Sequence, residues 1–163
     1  MLMNSSKASL LIVDVQTRLL PAIADGETVL QNCIWLTGVA RRLAVPVVVS
    51  EQYPAGLGRT ADALLEAAGD ARIVEKTHFS CVSDGCLAGT AVDERRQVVV
   101  VGTEAHVCVL QTVLELRWHG PVAPANGRIA RPDAARVAGF PERPDGASGY
   151  PRFGMLVNST HWP

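Results

Sequence analysis

Lysine is almost missing from this chain: of its 15 basic residues, only Lys7 and Lys76 are lysines. A lysine inside the body of such a domain therefore needs a reason. Aromatic residues make up only 5%, the formal net charge is -1, and the basic residues are not clustered. That leaves no visible nucleic-acid surface and no electrostatic reason to expect an anionic membrane as partner. No run of apolar residues reaches the length needed to span a bilayer. The opening MLMNSSKASLLIVDV lacks a basic leader, and its apolar run ends at Asp14, so a signal peptide is not expected. The four cysteines, Cys33, Cys81, Cys86 and Cys108, lack the second close pair of a zinc motif. Free thiols in a reducing cytoplasm are the simplest expectation.

What is present has the balance of an ordinary globular protein, with 48% apolar and 19% charged residues in a chain of 163. One compact domain is the expected size class. Apolar runs lie at residues 10–13 (LLIV), 45–49 (VPVVV) and 97–101 (QVVVV), with a weaker one at 71–74 (ARIV). They are continuous and rich in Val and Ile, which is the pattern of parallel strands buried on both faces. Helical spacing separates them at residues 27–43, 60–68 and 108–118. The alternation predicts an α/β fold: an open, mostly parallel sheet with helices on both faces. In such sheets function gathers at the carboxyl edge of the strands. There the sequence places Asp14, residues 50–58, Lys76 and the loop 102–107.

The composition changes near Gly120. Residues 121–163 hold seven of the ten prolines and five of the fourteen glycines. This predicts a loop-rich or irregular tail (121–163) after a folded domain (1–120).

Cys108 follows a strand and a short loop and is expected to open a helix. There the free N–H groups and the helix dipole would stabilise a thiolate and bind an oxyanion. A lysine nearby would lower the thiol pKa, and a carboxylate would orient the lysine or take the thiol proton. Each residue also has an ordinary reading. Buried cysteines are mostly structural, an Asp at a strand end commonly caps a turn, and a lone Lys is usually solvated.

The surrounding words decide between these readings: LLIVDVQTRLLPAI, VPVVVSEQYPAGLG, EKTHFSCV and VVVVGTEAHVCVLQT. Together, over residues 8–120, they resemble the isochorismatase-like cysteine hydrolases, a Rossmann-like three-layer family. The subgroup that fits is the small isochorismatase-domain proteins labelled Mar1-ribonuclease-related. The resemblance implies hydrolysis of a C–N, ester or vinyl-ether bond in a small molecule by a homo-oligomeric enzyme. It implies Asp14 as general base or proton relay, Lys76 as the triad lysine and Cys108 as nucleophile. It further implies a cis peptide between Thr103 and Glu104, which would bring the N–H of Glu104 beside that of Cys108 as an oxyanion hole. Some relatives act on isochorismate through acid catalysis at Asp without the cysteine.

Gln16, Gln52, Tyr53, Phe79 and His106 are candidates for substrate binding. For Gln16 a turn, for Tyr53 a surface loop and for His106 a satisfied loop histidine are the competing readings. The nicotinamidase branch binds a divalent metal after its second strand through Asp and His. Here SEQYPAGLGRT has neither, so no metal and no cofactor are expected.

Relatives continue with further strands, whereas here the match stops at Gly120. A shifted reading frame of a GC-rich gene and a genuine divergent tail are the two explanations. Without those strands, the fourth strand would become a sheet edge. A catalytically impaired or scaffold member, acting through binding or oligomerisation, is the alternative function.

Overall fold

The structure is a computed structural model that describes residues 3–119 and two short strands, Arg136–Ala138 and Leu156–Asn158. Four parallel strands form the central sheet: β1 (Ala8–Val13), β2 (Val47–Gln52), β3 (Arg72–Lys76) and β4 (Gln97–Gly102), in the order β3-β2-β1-β4. Each run of the sequence reading is a strand, with shifted ends. Pro46 cannot donate to a ladder, and β2 begins at the next residue. β2 then extends through Gln52 and pairs Glu51 and Gln52 with Glu75 and Lys76. Ser50, Glu51 and Gln52, expected in a loop, are thus strand residues, and Lys76 is the last residue of β3 rather than its successor.

The continuous apolar runs are explained by burial on both faces. From β1, Leu10 and Ile12 join Val47, Val49, Val99 and Val101 on one side, against α1 (Gly26–Arg42). Two short helices follow β2, α2 (Pro54–Leu57) and α3 (Asp62–Ala68), and Leu64 and Ala68 of α3 reach the same cluster. Leu11 and Val13 join Val48, Val74, Val98 and Val100 on the other side. There they meet α4 (Cys81–Asp84), α5 (Ala91–Glu94) and α6 (Leu110–His119). This is a three-layer α/β architecture with two cores, one on each side of the sheet.

The strand order contains a reversal. From β1 the chain moves outward through β2 to β3, then returns across the sheet to place β4 on the far side of β1. The two neighbouring strands leave a crevice at their carboxyl ends, the topological switch point of an open sheet. Gly102 lets β4 close up there, because a Cβ at this position would run into the carbonyl of Val13.

Two expectations about the chain's end stand differently. Among the described residues the hydrogen-bonded sheet ends at β4, which is therefore an edge. The strand pair β5 (Arg136–Ala138) and β6 (Leu156–Asn158) is antiparallel, with β6 lying beside β4. The remaining residues of the 121–163 tail lie outside the described residues.

Candidate active site

The crevice at the switch point is organised around Asp14, the residue that follows β1. It is wholly buried and lies in the left-handed region at φ 57°. A non-glycine residue there costs roughly 1–3 kcal/mol and persists only when its surroundings hold it. Here three contacts hold the backbone. The Asp14 N–H donates to the carbonyl of Ser50 at 3.1 Å. Its own carbonyl accepts from the N–H of Gln16 at 3.0 Å and from the hydroxyl of Thr103 at 2.5 Å.

Both carboxylate oxygens are occupied. Ser50 Oγ donates to Oδ1 at 2.8 Å, and Lys76 Nζ donates to Oδ2 at 2.7 Å in an ion pair whose side chains are fully buried. The ammonium of Lys76 also donates to Gln52 Oε1 at 2.6 Å and to the Phe79 carbonyl at 3.1 Å. With the His78 carbonyl at 3.4 Å, four acceptors share the three N–H groups of the lysine. Burial works to lower the Lys76 pKa, but the charge and hydrogen bond of Asp14 outweigh it and hold the ammonium above its ordinary value. The scarcity of lysine in the sequence thus coincides with a structural demand at this one buried position.

Cys108, on the turn that follows β4, feels the charges of the same pair. Its thiol is buried, and its pKa is pushed up to about 12, first by burial and then by the charge and hydrogen bond of Asp14. Lys76 acts in the opposite sense, by its charge and a hydrogen bond, and does not win. The expectation of a thiolate favoured by the helix start and the lysine is therefore corrected. Desolvation and the charge and hydrogen bond of Asp14 raise the thiol pKa, and the opposing pull of Lys76 does not offset them.

The local helix also differs from expectation. Cys108 lies in a π-helical turn, Ala105–Val109, which leads into α6. The N–H of Val109 reaches the carbonyl of Glu104, five residues back, at 3.3 Å. Such π segments recur at functional sites because they re-aim one side chain without ending the helix.

A second correction concerns Thr103 and Glu104. No peptide bond among the described residues is cis. The chain turns instead at Glu104, whose backbone is left-handed (φ 53°, ψ 51°) and whose carbonyl accepts from the N–H groups of Val107 and Val109. The cis bond that was to aim the Glu104 N–H beside that of Cys108 is replaced by this trans turn. Thr103 has a different part: its buried hydroxyl braces the backbone of Asp14.

The five residues expected to line the pocket fall into two groups. Gln16 is fully buried, and its side-chain amide is spent on the chain. Its Nε2 donates to the carbonyls of Gln52 at 3.0 Å and Gly58 at 2.5 Å, and its Oε1 accepts from the N–H of Gln52 at 2.8 Å. Gln52 braces Lys76 and donates through Nε2 to the Thr77 carbonyl at 2.9 Å. Tyr53 and Phe79 are more than half exposed, and His106 is exposed on the π turn.

Sequence reasoning missed Ser50, the hydroxyl role of Thr103 and a second thiol, Cys81. Cys81 is buried and drawn below the ordinary thiol value, chiefly by a hydrogen bond with Cys86, against burial and with help from Ser50, Thr112 and Lys76. Among the described residues, no three His, Cys, Asp or Glu side chains are grouped to hold a metal ion.

With this geometry in view, the comparisons with known proteins are informative. The sequence pattern of the isochorismatase domain matches residues 8–121. The chain belongs to the isochorismatase family. Isochorismatase domain-containing protein 1 of Danio rerio is 41% identical over 108 residues, covering 66% of this chain and 38% of that protein. Among solved structures, the MAR1 ribonuclease from Caenorhabditis elegans superposes with a TM-score of 0.64 at 36% identity, covering 70% of this chain and 59% of that one. The YcaC gene product from Escherichia coli, described as an octameric hydrolase of unknown specificity, shares the fold with a TM-score of 0.62 at 21% identity. There the match covers 69% of this chain and 58% of that one. The chain therefore spans well under two thirds of the length of these relatives.

Proposed function

We propose that this isochorismatase-family chain is a metal-independent cysteine hydrolase acting on a C–N, ester or vinyl-ether bond of a small molecule. The observation that carries this reading is the meeting of Asp14, Lys76 and Cys108 at the switch-point crevice, contributed by three separate segments of the chain. A buried carboxylate and ammonium in an ion pair, with a thiol close enough to feel both charges, are the parts of an activated nucleophile.

The raised pKa of Cys108 orders the steps. With the thiol pKa raised by burial and by Asp14, the proton of Cys108 passes to Asp14 as the sulfur attacks the carbonyl carbon. The N–H of Cys108 is the backbone donor proposed to meet the developing oxyanion. Asp14 then returns the proton to the leaving nitrogen or oxygen. The resulting thioester is hydrolysed by a water that loses its proton to Asp14, and the thiol is regenerated. Lys76, with every N–H in use, holds the carboxylate in place and offsets its charge. A vinyl ether would be cleaved instead through proton donation from Asp14. Tyr53, Phe79 and His106, all exposed, are the side chains proposed to meet the substrate.

The segment after β2 carries neither His nor Asp, which supports a site without a resident metal. Four free cysteines suit a reducing cytoplasm. Among the described residues no helix is long and apolar enough to cross a membrane. A homo-oligomer is proposed because β4 is an edge and the YcaC gene product is described as octameric.

The test is a screen of amides, esters and isochorismate with the wild-type protein, Cys108→Ala and Asp14→Asn. Turnover of an amide or ester that disappears in both variants is the expected result, as is protection of Cys108 from iodoacetamide by that substrate. Cys108 alkylated no faster than the buried Cys33 at neutral pH, with no turnover of any compound, would sink the proposal.

A further inference from the structure

The last residues of β2 alternate in direction, as strand residues do. Ser50 and Gln52 share one face and each reaches one member of the buried ion pair. Ser50 donates to Asp14 Oδ1, while Gln52 accepts from Lys76 Nζ. Glu51, between them, turns the other way and accepts the N–H of Thr60 at 2.8 Å. Within the word SEQ, therefore, two side chains serve the crevice and one secures the following loop.

Ser50 is completely buried, and its carbonyl also receives the N–H of Asp14. It thus holds Asp14 twice, once by the backbone and once by the carboxylate. The hydroxyl has a single proton. Donated to Oδ1, it stabilises the charged carboxylate and fixes its rotation, while Lys76 fixes Oδ2. The groups that act on this carboxylate are Ser50 from β2, Lys76 from β3 and Cys108 from the π turn, with Cys81 of α4 within reach of Ser50. Ser50 is the hydroxyl donor among them.

We propose that Ser50 is a positioning residue of the active site, which sets how readily Asp14 takes the proton of Cys108 by holding its Oδ1 through a single hydroxyl donor. This rests on the reading of Asp14 as the base for Cys108. Removal of the donor makes the carboxylate hold a proton more tightly. Asp14 then stays protonated to higher pH, where it cannot act as a base.

The experiment needs no known substrate. The rate of iodoacetamide alkylation at Cys108 is followed by peptide mass spectrometry from pH 4 to 9 in the wild type, Ser50→Ala and Ser50→Thr, with thermal melts alongside. The acid limb of the rate profile should move to higher pH by about one unit in Ser50→Ala, the loss of one hydrogen bond to a charged group. In Ser50→Thr, which keeps the hydroxyl, it should return to the wild-type position. Ser50→Cys, a weak donor, should shift it in the same direction by less and serves if the alanine variant does not fold. A limb unmoved in Ser50→Ala, or in Ser50→Cys in its place, would overturn the inference even if the melting temperature falls, since Ser50 would then be only a packing residue. If wild-type Cys108 itself is alkylated no faster than Cys33, the base reading fails and the inference falls with it. The two failures are thus told apart in the wild-type protein.

Discussion

At the scale of single residues, the buried Asp14–Lys76 pair sets the largest energies. Two fully buried charges compensate each other, and removal of one leaves the other without an ionic partner in a low-dielectric site. Lys76→Met should therefore cost about 3–5 kcal/mol, read as a lowered urea midpoint. It should also slow alkylation of Cys108, because Lys76 is the charge that pulls the thiol pKa down. The candidate residues Asp14, Lys76 and Cys108 were legible in the sequence through the family words that contain them. Ser50 and Thr103 were not. A hydroxyl at a strand end ordinarily satisfies its own backbone, and only the neighbouring strand shows that these two turn toward Asp14 instead.

At the scale of elements, one side chain ties together the two ends of the segment between β2 and α3. Gln16 engages the N–H and carbonyl of Gln52 and the carbonyl of Gly58, so one amide spans the start and end of the segment that carries Tyr53. Gln16→Ala should cost about 1–3 kcal/mol by leaving these backbone groups without partners. Amide exchange at Gln52 should quicken with little change in β1; equal exchange in both variants would show that water replaces the side chain. Sequence alone left Gln16 between pocket and turn, because an amide suits either. The π turn was also hidden. Over five residues its apolar spacing matches an α-helix, and what separates them is the left-handed backbone of Glu104, which no side-chain pattern encodes.

At the scale of the whole molecule, three buried groups share one direction of titration. Cys33 and Cys108 are pushed up to about 12 by burial, with Asp14 adding to the shift at Cys108, and Lys76 is held above its ordinary value. A pKa raised on folding contributes stability that is present below the unfolded value and lost as pH rises through the folded one. The folded protein binds these protons more tightly than the unfolded chain above the ordinary thiol value of 9.0. These groups therefore leave stability level from pH 6 to 8 and make it fall from about pH 9 upward. Urea midpoints measured across that range check this, and a midpoint that rises above pH 9 would contradict it. The β4 edge belongs to this scale too. Its residues are buried on both faces, yet its outer hydrogen-bonding side is not paired within the four-stranded sheet.

The strands, the three-layer class and the family were determined by the sequence alone, because continuous Val-rich runs between helical periods admit few other folds. The same words brought Asp14, Lys76 and Cys108 to one edge of the sheet. Tertiary structure decided what those residues are to one another. Strand order placed Asp14 beside Ser50 and Lys76, and burial raises the pKa of Cys108 where the sequence led one to expect it lowered. Charge balance inside a protein depends on distance and desolvation, and neither can be read from the spacing of residues along a chain.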